Sequence, residues 1–166
     1  METLLHRFIL RNIAAPHQRV TLMTPDSQQF LNILNDANVE YVVIGGVAMV
    51  AHGSARATFD LHLCYRRSEE NIERLCRMRE PLHARLREAP KELPFKFDVR
   101  TVRGGMNFTL ATDLGSIDPL GEVAGLGFYD GVLEASETKQ VGPIQPCSFD
   151  RRIDPHEDRG RTKERC

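Results

Sequence analysis

Residues Tyr41 to Cys64 read YVVIGGVAMVAHGSARATFDLHLC, and their reading decides the fold. An apolar run, Tyr41–Ile44, meets the glycine pair Gly45–Gly46, and a short small-residue helix follows to about His52. Four consecutive apolar residues suit a central strand covered on both faces. Gly53 supplies the turn residue that ends the helix. The chain then alternates from Phe59 to Tyr65, with Phe59, Leu61 and Leu63 on one face and Asp60, His62 and Cys64 on the other. A strand feeding a glycine-opened helix can gather phosphate at exposed N–H groups. A carboxylate on the next strand can hold the cation that phosphates bring. Phosphate chemistry is the first expectation.

Working outward, Thr24 N-caps a helix over Pro25–Ala37, with proline at its first position and Asn38 as its stop. Residues 1–22 carry scattered basic residues without a clean period and read as an N-terminal extension, with a short edge strand or helix at Leu4–Ile13 as the alternative. Ser68 caps a third helix with Glu69 and Glu70 in its first turn, favourable to the helix dipole, and Pro81 ends or kinks it. A short helix continues to about Arg87, and Ala89–Pro94 is a loop. Phe95–Val102 alternates as a strand, and Gly104–Gly105 is a turn. Asn107–Thr112 and Ser116–Leu120 form a hairpin around Asp113–Gly115. Gly121–Gly127 reads as a glycine-rich loop, Phe128–Glu134 as a short helix and Thr138–Val141 as a last strand. These readings place one domain over residues 23–142, followed by a polar, disordered tail over 143–166.

A net charge of −1 over 166 residues gives no global attraction to nucleic acid or membrane. No apolar run reaches the roughly 18 residues that suggest a membrane span. Leu4–Leu10 is too short and too charged for a signal peptide. The four cysteines form no metal-binding pattern, so reduced thiols and a cytoplasmic location are expected. The arginines around the third helix (Arg66, Arg67, Arg74, Arg77, Arg79, Arg85 and Arg87) read as a solvated face balanced by Glu69, Glu70, Glu73, Glu80 and Glu88, with an RNA contact as the alternative.

Asp60 and His62 share one strand face and need polar partners. Asp118, in Ser-Ile-Asp-Pro-Leu, is a further carboxylate among apolar neighbours; if its strand lies beside that of Asp60, the two can share a divalent cation. Asp98 and Asp113 compete for that role, though an aspartate before a glycine turn suits the turn itself. His52 reads as a helix-end residue more than a ligand. Arg56 and Thr58 lie between the turn and the Asp60 strand, where an arginine can grip phosphate bidentately or make a surface ion pair. Neither a Walker loop nor a Rossmann fingerprint is present.

The pattern Gly-Gly, then His-Gly-x-x-Arg-x-Thr-x-Asp-Leu-x-Leu, resembles the signature of the nucleotidyltransferase fold. More narrowly, it is similar to the bacterial minimal nucleotidyltransferases and the abortive-infection type toxin nucleotidyltransferases. The likeness is strongest over Val39–Leu63 and extends more weakly over roughly residues 25–130. It implies an α/β (α+β) architecture, a mixed β-sheet flanked by helices. It implies transfer of a nucleoside monophosphate from a nucleoside triphosphate such as ATP to an acceptor hydroxyl on a tRNA, a protein or a small molecule. Gly45 and Gly46 would lie at the nucleotide phosphates with Arg56 and Thr58 nearby, while Asp60 and Asp118 would be catalytic and hold magnesium.

This chain departs from the family at His62, where a second aspartate is usual; an imidazole suits Mn2+ or another divalent metal better than Mg2+. Near the C-terminus Gly160, Arg161, Lys163 and Glu164 follow the family's outline, but His156 replaces a lysine and Pro155 would break the helix. The alternative expectation is therefore a catalytically impaired nucleotide-binding or interaction module, such as one component of a toxin–antitoxin pair.

Overall fold

The computed structural model describes residues 24–55, 58–78, 82–90, 94–140 and 147–150. The extension expected over 1–22, Arg56 and the family-like residues from Pro155 to Glu164 lie outside these described residues. Helix α1 spans Pro25–Asp36, and its N-cap Thr24 accepts a hydrogen bond from the Ser27 amide. Asn38, at φ 54°, turns the chain out of it in the left-handed conformation that asparagine tolerates. Strand β1 (Tyr41–Ile44) then runs straight into α2 (Gly45–Ala51), and β2 follows at Asp60–Tyr65. Helix α3 (Glu69–Arg77) is capped by Ser68, as the sequence suggests.

From here the structure corrects several expectations. Residues Arg85–Leu86 form the short strand β3 rather than continuing a helix. His83 at φ 46° and Glu88 at φ 63° bend the backbone on either side, so a helix cannot pass through. Phe95–Val102 is not a strand. Asp98 caps helix α4 (Val99–Gly104), its carboxylate accepting from the Thr101 amide at 2.9 Å. The far end of α4 is held by Arg67, whose guanidinium donates to the carbonyls of Val102, Arg103 and Gly105. That partner is remote in sequence, whereas the apparent alternation is local.

The hairpin of β4 (Leu110–Thr112) and β5 (Gly115–Leu120) forms as expected. The glycine-rich segment after it is a second, two-stranded sheet, β6 (Glu122–Val123) with β7 (Gly127–Phe128). Helix α5 (Tyr129–Glu134) leads to β8 at Ser136–Lys139. The ordered fold extends past residue 142, because Cys147–Asp150 is strand β9. A tail beginning at 143 is therefore the wrong boundary: Cys147, Phe149 and Asp150 are buried.

The main sheet has seven strands in the order β3-β4-β5-β2-β1-β9-β8. Pairing is mixed: β2 runs parallel to β5 and β1 parallel to β9, while the other neighbours are antiparallel. This is the mixed sheet flanked by helices that the sequence suggests. One face carries the main core, where Val43, Leu61, Leu63, Ile117 and Phe149 meet α1 (Phe30, Leu31, Leu34), α2 (Val47, Ala48), α3 (Leu75) and α4 (Val102). Asn71 ties α3 to this frame. It is 1% exposed, accepts from the Glu40 amide, and donates to the carbonyls of Glu40 and Arg66. Such a buried amide with all of its partners is worth keeping, since an orphaned group costs about 1–3 kcal/mol.

The opposite sheet face changes character along the strands. At one end Val42 and Cys64 pack with Tyr129 and Val132 of α5, and Leu120 joins them. One pleat further along, the register pairs Ile44 with His62 and His62 with Asp118. Apolar residues give way to polar ones within a single step of period two.

Candidate functional site

The polar end of this face is built by strand register. His62 and Asp118 are direct partners on the parallel pair β2–β5, and Asp60 lies two residues before His62 on the same face. A nitrogen of His62 and one oxygen from each aspartate all lie within 4.8 Å of one another. The His62 Nε2 is 3.1 Å from Asp60 Oδ2 and 3.1 Å from Asp118 Oδ2. Side-chain exposure is 38% for Asp60 and 35% for His62 but 12% for Asp118, so the group opens on the Asp60 side. Asp60, His62 and Asp118 thus come together as the sequence suggests and form a group able to hold a metal ion.

Burial opposes the ionised form of Asp60. The attraction of His62, with hydrogen bonds from Thr58 and His62, outweighs that effect and holds its carboxyl below the usual range. Thr58 donates its hydroxyl to Asp60 Oδ1 at 3.2 Å, which places it beside the carboxylate as a brace. The two competitors are placed elsewhere. Asp98 caps α4, and Asp113 sits in the β4–β5 turn against His83 Nδ1 at 2.5 Å. His52 ends α2, as expected.

Both glycines are required by this site's closeness to the β1–α2 turn. Gly45 has φ +67°, and a Cβ on it would meet His62 Nδ1 at 2.9 Å. A Cβ on Gly46 would meet the Thr58 hydroxyl at 2.5 Å and Thr58 Cβ at 2.8 Å. Any side chain here would push the turn off β2, so the glycine pair puts bare backbone directly beside the Asp–His–Asp group.

One participant escapes a motif-based reading. Arg87 follows β3, and its amide donates to the Thr109 carbonyl, extending the β3–β4 ladder by one residue. Its guanidinium pairs with Asp118 Oδ1 and lies 3.9 Å from Asp60 Oδ2. The sequence offers it as one of the arginines of a solvated face, and the structure corrects this by turning its guanidinium onto Asp118. Other arginines near α3 serve the scaffold: Arg66 pairs with Glu40 and Asp130 and covers the Tyr129 ring at 4.5 Å, and Arg74 donates to the Asn38 carbonyl.

The donor set of two carboxylate oxygens and one imidazole nitrogen fits a divalent cation of intermediate hardness such as Mn2+, and fits Mg2+ less well. Comparison with protein families finds no matching family model, and comparison with curated proteins finds no match. Among the described residues, no helix is long and apolar enough to cross a membrane.

Proposed function

We propose that the protein is a divalent-cation-dependent nucleotidyltransferase, moving a nucleoside monophosphate from a nucleoside triphosphate to an acceptor hydroxyl. The observation that carries this reading is the convergence of Asp60, His62 and Asp118 on two adjacent parallel strands, directly beside the glycine turn. Asp60, His62 and Asp118 would hold the cation, which when bound supplies charge neutralisation for the phosphates and an anchor for the reacting oxygens. Asp118, the more enclosed carboxylate, fixes the inner side of the site. Asp60, more open and kept ionised by its neighbours, would face the acceptor and take the hydroxyl proton. Thr58 holds Asp60 in orientation. The bare backbone of Gly45 and Gly46 lets phosphates approach closely, with Arg56 as a further contact. The acceptor is a hydroxyl of tRNA, a protein or a small molecule.

The test is incubation with each labelled nucleoside triphosphate, total RNA and a series of divalent metals. Labelled product is expected with Mn2+ above Mg2+, and Asp118→Asn is expected to lower it by about a hundredfold or more. No product under any metal would sink the enzyme reading.

A second reading is a nucleotide-binding or interaction module without transfer, such as a toxin–antitoxin component. It is favoured by one observation: two of the groups facing the carboxylates are the nitrogen of His62 and the fixed positive charge of Arg87. Nucleotide binding in equilibrium dialysis without any labelled product would select it.

A further inference from the structure

Arg87 stands where a metal's charge would act. Two carboxylates on neighbouring strands repel each other, and something positive must offset them. In this molecule the offset comes from the chain itself. The guanidinium bonds Asp118 Oδ1 and reaches to 3.9 Å from Asp60 Oδ2, while His62 Nε2 lies 3.1 Å from the other Asp118 oxygen, Oδ2. Asp118 therefore has both oxygens engaged by the protein. Asp60 Oδ2 is likewise shared between His62 and Arg87.

Arg87 is also held differently from the ligands it faces. Asp60, His62 and Asp118 lie on β2 and β5 in the middle of the sheet, whereas Arg87 follows the two-residue edge strand β3. It is followed at once by Glu88 in a left-handed conformation. The hydrogen bond that its amide donates to the Thr109 carbonyl anchors its backbone at the end of β4. A long side chain from the sheet margin can leave a carboxylate more readily than residues within the sheet can.

We infer that Arg87 is a built-in counter-ion that competes with the divalent cation for Asp118 and Asp60. The inference rests on the metal-site reading above and adds a regulatory element to it. Cation entry requires the guanidinium to withdraw from Asp118. Once withdrawn it lies at the rim of the site, where its fork of donors suits a phosphate oxygen pair. The cation and the anionic nucleotide then favour each other's binding, because the nucleotide gives Arg87 an alternative partner.

The experiment is Mn2+ binding, followed by electron paramagnetic resonance or calorimetry without nucleotide, on the full chain and its variants. Arg87→Gln is expected to bind Mn2+ about tenfold or more tightly than the unmodified protein. Arg87→Lys retains the charge and is expected to stay near the unmodified affinity, which separates charge from packing. Asp118→Asn is expected to lose Mn2+ binding, keeping the full resonance of free Mn2+ and showing no heat of binding. A nonhydrolysable nucleoside triphosphate should tighten Mn2+ binding to the unmodified protein more than to Arg87→Gln. Equal or weaker Mn2+ affinity in Arg87→Gln overturns the counter-ion role while leaving the metal site intact. Tighter binding in that variant without nucleotidyl transfer by either protein supports the counter-ion role and defeats the enzyme reading. Absence of Mn2+ binding in every form overturns both.

Discussion

At the residue scale, position 62 is where the proposed cation preference is tested. His62 contributes a nitrogen where a carboxylate oxygen would suit a hard cation better, and its Nε2 sits between two carboxylates at 3.1 Å from each. His62→Asp is expected to raise Mg2+ affinity roughly tenfold or more, by adding negative charge and a hard oxygen donor. Without metal the same substitution gathers three carboxylates, so the thermal midpoint should fall and be restored by Mg2+. Labelled transfer in Mg2+ should rise in parallel if His62 is what limits the site. A variant whose midpoint ignores Mg2+ would show that the group does not bind metal through this position. Asp60, His62 and the glycine pair are legible in the sequence because period-two alternation and a double glycine are local patterns. Asp118 is legible only conditionally, since its place beside His62 depends on the pairing of β2 with β5. Arg87 is legible only as one of the arginines read as a solvated face: it reaches the site from a sheet margin whose partner strand is the later β4, where Leu86 pairs with Leu110 and Arg85 with Ala111.

At the scale of elements, local signals predict what local forces hold. Thr24 and Ser68 cap the helices they precede, and the β4–β5 hairpin closes on its own turn. Elements stabilised from afar read wrongly. The alternation Phe95, Phe97, Val99 mimics a strand, but Asp98 caps a helix there, and Arg67 secures its other end. Cys147-Ser-Phe-Asp is too short and mixed to announce a strand, yet its neighbours on both sides make it one. Phe149 has no exposed surface and faces Val43 across β9 and β1. Phe149→Ala is expected to cost about 3–5 kcal/mol by urea denaturation, a large part of the roughly 5–15 kcal/mol that holds a domain together. A chain ending at residue 142 should fail to fold, because β1 would lose one hydrogen-bonded neighbour and β8 its only pairing strand among the described residues. A loss below about 1 kcal/mol in Phe149→Ala would contradict the burial of β9.

At the scale of the whole molecule, three tyrosines report on integrity together. Tyr41, Tyr65 and Tyr129 are all buried, and burial is the main reason each phenol is pushed above its ordinary value of 10.0. Above pH 10 the unfolded chain loses these protons while the folded chain retains them. Stability should therefore fall as pH rises through that window, by up to about 1.4 kcal/mol per pH unit for each tyrosine still protonated only in the fold. Phenolate absorbance should appear together with loss of the folded circular dichroism signal. Reversible phenolate formation near pH 10 with the fold intact would overturn this. Tyr41 has a further consequence. Its hydroxyl donates to Asn35 and contacts the Cys147 sulfur at 3.3 Å, a residue 106 positions away. The β1–β2 pair joins segments close in sequence, but the seat of β9 beside β1 depends on closing this long loop. Of the two parallel pairings in the sheet, β1 with β9 closes the longer stretch of chain, and β2 with β5, which brings Asp60 and His62 to Asp118, closes the shorter one.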